Sequence, residues 1–196
     1  MRQGLNEVSW TEVLAVTEHY TGLSKAAGAL LVEPDLARSV AGPGAALVDL
    51  VEDDTADGRT RAVFADIRVS LGERLGIDRV PNFWKAIAHD YHYLAATWHK
   101  EQVVTRPDAL DARTKAAVAL AAAMVNGGRY FIEYTLLAFR RLGATTRDIV
   151  QLAALVDSFT CFNKVADGMR IDLESHDGRP ARFRVEPADA TVGSHA

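Results

Sequence analysis

The residues of this chain whose types and spacing suit chemistry gather in one stretch. In NGGRYFIEYTLLAFRRLGATT, residues 126 to 146, two glycines open a helix, and on a helix residues three, four and seven apart share a face. Gly128, Phe131 and Thr135 therefore lie on one side. Arg129, Glu133 and Arg140 fall on a charged side that faces water, which makes Glu133 a solvated acid. At the glycine, open backbone amides of a helix N-terminus would suit an anionic or carbonyl group. Phe131 would line or fill a pocket beside them, and Thr135 and Tyr134 would add hydroxyls. Lys115, on the alanine-rich helix before, would act as a cation for a carboxylate or, if desolvated, as a base. Each has a plainer counterpart: Phe131 as a plug, Gly128 as the close of the preceding helix, Lys115 as an exposed lysine.

Three histidines, His89, His92 and His99, fall within one angular sector if their segment is a continuous helix. His92 and His99 would then stand about two turns, ~10 Å, apart, too far to share an ion. His89 and His92 would need further ligands, so no metal site is assigned. The single cysteine, Cys161, excludes an intrachain disulfide framework and any multi-cysteine metal site. Its apolar neighbours in SFTCFNK make it a packed, inert thiol. Arg179, Arg182 and Arg184 form a basic cluster near the C-terminus that reads as solvated surface.

The elements that must position these residues come from an ordinary globular composition: 196 residues, 48% hydrophobic, 24% charged, formal net charge -4. No basic patch of the kind nucleic acid requires is present. MRQGLNEVSWTEVLAV lacks the apolar core and small-residue cleavage site of a secretory leader, so the expected location is cytoplasmic. No uninterrupted apolar run approaches the ~20 residues that cross a bilayer, and no membrane partner is expected.

Helical periodicity dominates, and the fold class is all-α in a single domain. Ser9 and Glu12 have capping-box spacing for a first helix ending near Gly22, with a second from about Lys25 to Val32. DLARSVAGPG reads as a short helical piece with a turn, and AALVDLVEDD as a short apolar helix. A helix follows from Arg61, then two segments meeting near His89 and Asp90, then one beginning around Asp108 and stopped by the two glycines. After the helix of the opening stretch, terminated at Gly143, Thr145 and Asp148 have capping-box spacing for the last helix. ARFRVE is the one hint of a strand. Residues 1–60 would form a helical extension packed on a core of residues 61–172, with 173–196 a peripheral tail.

The spacing of Gly128, Phe131 and Thr135 is that of a CxxCxxxH signature with every functional residue replaced, placed at a helix N-terminus before RRLGATTRD. With ADIRVSLG, RVPNFWKAIAHDYHYLAATW, LDARTKAAVALAAAMVNGG and FNKVADGMRI in order, the chain resembles the alkylhydroperoxidase D-like, or carboxymuconolactone decarboxylase, superfamily over roughly residues 62 to 172. The closing segment is similar to that of its peroxidase-related branch. The resemblance implies an all-α bundle, a histidine at a helix junction for which His89 stands, and a homo-oligomer, trimer or hexamer.

In members with the full motif, the resemblance implies thiol peroxidase chemistry: a cysteine pair reduces a peroxide while a glutamate and a histidine relay protons. A helix N-terminus favours the reactive thiolate. Here Gly128 and Phe131 stand in the cysteine positions, Thr135 in that of the histidine, and Lys115 about where the glutamate is expected. The expectation is a diverged protein that keeps a small-molecule pocket and a non-thiol activity, with Lys115 and Thr135 as catalytic candidates. Gly128, Phe131, Tyr134 and His89 are the candidates for substrate binding, and no cofactor is assigned. The alternative is a catalytically silent ligand-binding or oligomeric scaffold.

Overall fold

The computed structural model describes residues 6–36 and 46–170. Every regular element among them is a helix: α1 (Glu7–Ala29), α2 (Gly58–Leu75), α3 (Asn82–Ile87), α4 (Tyr91–Thr105), α5 (Ala112–Asn126), α6 (Arg129–Arg141) and α7 (Thr146–Met169). The chain divides into two compact units, Met1–Asp157 and Ser158–Ala196, and the boundary falls within α7. ARFRVE, the cluster Arg179, Arg182 and Arg184, and most of DLARSVAGPG lie outside the described residues.

Local capping sets most helix starts, in part at positions the spacing did not indicate. Asn6 rather than Ser9 caps α1: its Oδ1 accepts from the Ser9 amide at 2.8 Å, and Ser9 falls in the first turn. No break occurs at Gly22, because the stripe of Val16, Tyr20, Leu23 and Ala27 stays buried across it. That burial outweighs glycine's weak helix propensity. Asp111, not Asp108, caps α5, accepting from the Thr114 amide at 2.8 Å. The junction near His89 and Asp90 is present, with Asp90 accepting from the His92 and Tyr93 amides. Thr145 and Asp148 form the expected reciprocal box, at 2.8 Å and 3.2 Å.

The short helix expected in AALVDLVEDD is absent from residues 46–54. Its backbone is bonded elsewhere: the Leu47 amide donates to the Leu30 carbonyl at 2.8 Å and the Val51 amide to the Lys85 carbonyl at 3.3 Å. Long-range partners thus displaced a local helix that composition favoured. In α7 no residue is buried, and by length and composition the helix is long enough and apolar enough to cross a bilayer. Counting uninterrupted runs missed it because Asp157 and Lys164 interrupt the apolar residues. Cys161, on this helix, is exposed rather than packed.

In the first unit, α1 packs on α5 and α6, and α2 on α4 and α6. Phe64, Ile67 and Leu71 of α2, Phe83 and Trp84 of α3, Leu94 of α4 and Phe131 of α6 are fully buried. Trp84 and Trp98 meet edge-to-face at 5.2 Å. Where α6 begins, Gly128 lets α1 approach closely: a Cβ built there would stand 2.6 Å from Ser24 Cβ and 3.1 Å from Ser24 Cα.

One polar cluster crosses this core. Glu101 of α4 is completely buried, and its Oε2 accepts from His19 Nε2 at 3.0 Å. Its Oε1 accepts from Tyr20 Oη at 3.0 Å, Tyr134 Oη at 3.1 Å and Arg74 Nη2 at 3.1 Å. An ionised carboxylate only accepts, so the proton of His19 sits on Nε2. Four helices, α1, α2, α4 and α6, are tied to one side chain. Burial alone would raise the Glu101 pKa; the His19 hydrogen bond and the Arg74 charge outweigh it and bring the carboxyl from 4.5 down to about 2.

A depressed carboxyl pKa contributes stability that is complete above the unfolded value and is lost as pH falls through the folded one. For Glu101 the window runs from about pH 4.5 to about pH 2, and a shift of that size corresponds to about 3 kcal/mol. Glu101→Gln is expected to lower the unfolding free energy at neutral pH by about 3 kcal/mol. Urea unfolding at stepped pH should show the gap between wild type and variant closing below pH 4.5; a gap constant down to pH 2 would contradict the assignment. Two glycine substitutions test the packing. Gly22→Ala, with open space around it, should stabilise by about 0.5–1 kcal/mol, whereas Gly128→Ala should destabilise by about 1–3 kcal/mol through overpacking. Equal effects at the two positions would argue against the close α1–α6 contact.

Candidate functional site

The face that carries Gly128 and Phe131 is filled. The Phe131 ring packs edge-to-face against Phe83 at 4.9 Å and against Tyr20 at 6.1 Å, with Tyr130 at 5.2 Å and Tyr134 at 5.6 Å. Ser24 of α1 occupies the space a side chain at 128 would enter. The Gly128 amide donates to the Ala123 carbonyl at 3.3 Å, so it is not open to a ligand. Both positions of the cysteine spacing are therefore closed, one by α1 and one by the aromatic residue itself.

An open cavity of about 640 Å³ lies beside this plug, among α1, α2, α4, α5 and α6. That size suits a small organic molecule. Val16, Leu75, Ala116, Ala119, Ala138 and Leu142 make its apolar wall, the alanines leaving room where larger side chains would fill it. Arg74, Arg106, Lys115 and Arg141 supply cations and Glu73 one acid; Tyr20, Thr105, Gln102 and Thr135 add polar atoms.

The structure brings Lys115 and Thr135 to this cavity and leaves Gly128, Phe131, Tyr134 and His89 outside its lining. Lys115 is buried, not the exposed lysine of the plainer reading. Its Nζ donates to Glu12 Oε1 at 2.9 Å and to the Arg106 carbonyl at 2.7 Å, which leaves one N–H for other use. The same ion pair, with the Leu110 amide as a second donor, lowers the Glu12 pKa against a small burial effect. Thr135 donates its proton to the Phe131 carbonyl at 2.6 Å, so it meets a ligand as an acceptor.

Tyr134 is buried and directs its hydroxyl to Glu101. His89 is exposed at the α3–α4 junction, with Nε2 2.7 Å from the Asp49 carbonyl oxygen. Glu133 is only partly exposed: one carboxylate oxygen is buried without a hydrogen bond, while the other is 3.8 Å from Arg129 Nε. Among the described residues no group of three or more His, Cys, Asp or Glu side chains is placed to hold a metal ion.

Residues absent from the sequence-level candidates back the cavity wall. Tyr20 and Arg74 line it, and behind them stand Glu101, His19 and Tyr134. Burial, then the neighbouring Glu101 charge, raises the pKa of both Tyr20 and Tyr134 well above 10, so both hydroxyls stay protonated donors. Burial works against the charge of Arg74, but the neighbouring Glu101 carboxylate outweighs it and holds the guanidinium cationic. The signal for this cluster was present. Leu94, Trp98 and Glu101 share the buried stripe of α4 at steps of four and three, and an acid on such a stripe needs buried donors.

Residues 92–173 match the model of the carboxymuconolactone decarboxylase family. Among solved structures, the chain is similar to the alkylhydroperoxidase AhpD core from Rhodospirillum rubrum, at 28% identity and a TM-score of 0.60, over 66% of this chain and 95% of that one. No curated protein matches the sequence. The matched segment runs from the start of α4 through α7, so it includes Glu101, Lys115 and the whole Gly128–Thr135 face. Over residues 92–173 and in its all-helical architecture, the chain is similar to the alkylhydroperoxidase D-like, carboxymuconolactone decarboxylase superfamily.

Proposed function

We propose that this protein is a diverged member of the superfamily that has lost peroxidatic thiol chemistry and binds a small molecule in the cavity between α5, α6 and the Arg74 end of α2. The observation that carries the reading is the pairing of a filled Gly128–Phe131 face with a cavity of about 640 Å³ next to it, walled by Lys115 and Thr135. In this reading Lys115 is a fixed cation with one free N–H and Thr135 a hydroxyl acceptor, and the activity needs no thiol. Neither is arranged as a nucleophile: the Thr135 proton is committed to Phe131 and the Lys115 ammonium to Glu12.

The scaffold reading has its own support. Phe159, Phe162, Val165 and Met169 of α7 are exposed, and exposed apolar side chains on one helix favour association with another surface. We assign them to a homo-oligomer, a trimer or hexamer, which is compatible with an occupied cavity in each copy.

Two measurements check the reading. With cumene hydroperoxide as oxidant and dithiothreitol as donor, wild type and Cys161→Ser should both turn over at the uncatalysed rate; catalysis by either would contradict the loss of peroxidase chemistry. The neutral fluorescent dye N-phenyl-1-naphthylamine should bind wild type. Ala138→Phe, which projects a ring into the cavity from its wall, should weaken the dye about tenfold or more by removing the space, with an unchanged far-ultraviolet circular dichroism spectrum. Undiminished binding by that variant would place the dye elsewhere and count against the cavity.

A further inference from the structure

The cavity's charges are not evenly compensated. Arg74 is paired with Glu101 and Lys115 with Glu12. Arg106 and Arg141 have no ion-pair partner among the described residues, and Glu73 is the one acid in the lining. Arg74 and Arg141 both line the cavity, each from the last turn of its helix. Arg74 sits in the last turn of α2, and the Arg141 guanidinium from the end of α6 lies directly on Gly76, the left-handed C-cap of that same helix. Arg74 is held in place on this wall by Glu101, which accepts from its Nη2 at 3.1 Å. Val16, Ala116, Ala119 and Ala138 give the same cavity an apolar wall.

Resting on the small-molecule reading above, we infer that the ligand of this cavity is an organic anion with a single charged group and an apolar body. Its carboxylate or sulfonate sits against Arg74 and Arg141 at the C-terminal end of α2, and its body lies along α5 and α6. An oxyanion is the chemistry that supplies acceptors to two guanidinium groups at once. The small side chains of α5 and α6 leave space for hydrocarbon, and the exposed carboxylate of Glu73 opposes a second negative charge. Glu101 is a positioning residue in this arrangement: it fixes the Arg74 guanidinium and does not touch the ligand.

The test compares two dyes that share an aromatic body, 1-anilinonaphthalene-8-sulfonate, which carries one sulfonate, and N-phenyl-1-naphthylamine, which carries none. The wild type is expected to bind the sulfonate about tenfold more tightly, as a charge-assisted hydrogen bond warrants. Arg141→Gln should remove most of that preference while leaving the neutral dye unchanged, and added potassium chloride should weaken only the sulfonate. Arg141 is exposed, so this variant is expected to fold even where Arg74→Gln, which breaks the Glu101 cluster, does not. Ala138→Phe should displace both dyes. Equal affinities in wild type, or loss of both dyes in Arg141→Gln, would overturn the anion assignment while the cavity reading stands. If neither dye binds the folded wild type, the cavity reading fails and this inference with it.

Discussion

A buried carboxylate that accepts four hydrogen bonds must have its donors in place before it can leave water, and Glu101 imposes that condition on four helices at once. An unpaired charge at this depth would cost several kcal/mol, so α1, α2, α4 and α6 have one register in which the core closes. The placing of Tyr20 and Arg74 on the cavity wall follows from that register. Because the Glu101 carboxyl is held near pKa 2, it serves as a permanent anion rather than as a base. The cluster fixes geometry, and its carboxylate does not itself exchange protons near neutrality.

The same register brings α1 against the start of α6. Ser24 enters the space over Gly128, and Phe131 takes the centre of an aromatic group formed with Tyr20, Phe83, Tyr130 and Tyr134. Thiol chemistry at this helix start would need an accessible side chain at both positions, and neither offers one. Room remains one turn further along α6, where Thr135 and Ala138 line the cavity together with alanines of α5. The architecture is similar to that of the AhpD core, while the open cavity lies beside the motif face instead of on it.

Much of this could be read from spacing where the decisive interactions are local. The Thr145–Asp148 box, the break before Asp90 and the stop at Gly127 each involve partners within four residues, and the structure has all three. What spacing did not reveal depends on distant partners. Lys115 is buried because Glu12, 103 positions away, meets it; α1 continues past Gly22 because its stripe is covered; residues 46–54 are not helical because Leu30 and Lys85 take their backbone bonds. The face of Gly128, Phe131 and Thr135 was legible, but whether it was open or filled depended on Ser24, more than a hundred residues before it. Glu101 was the detectable omission, an acid on an apolar stripe that called for donors the sequence could not name.

The most direct test of the proposed cavity site is a crystal structure of the protein with N-phenyl-1-naphthylamine bound. The account predicts the dye between Ala119 and Ala138, within reach of Arg74, with the Phe131 ring still against Phe83. A dye lodged over Gly128 with Phe131 displaced would contradict it, because the motif face would then be the working pocket.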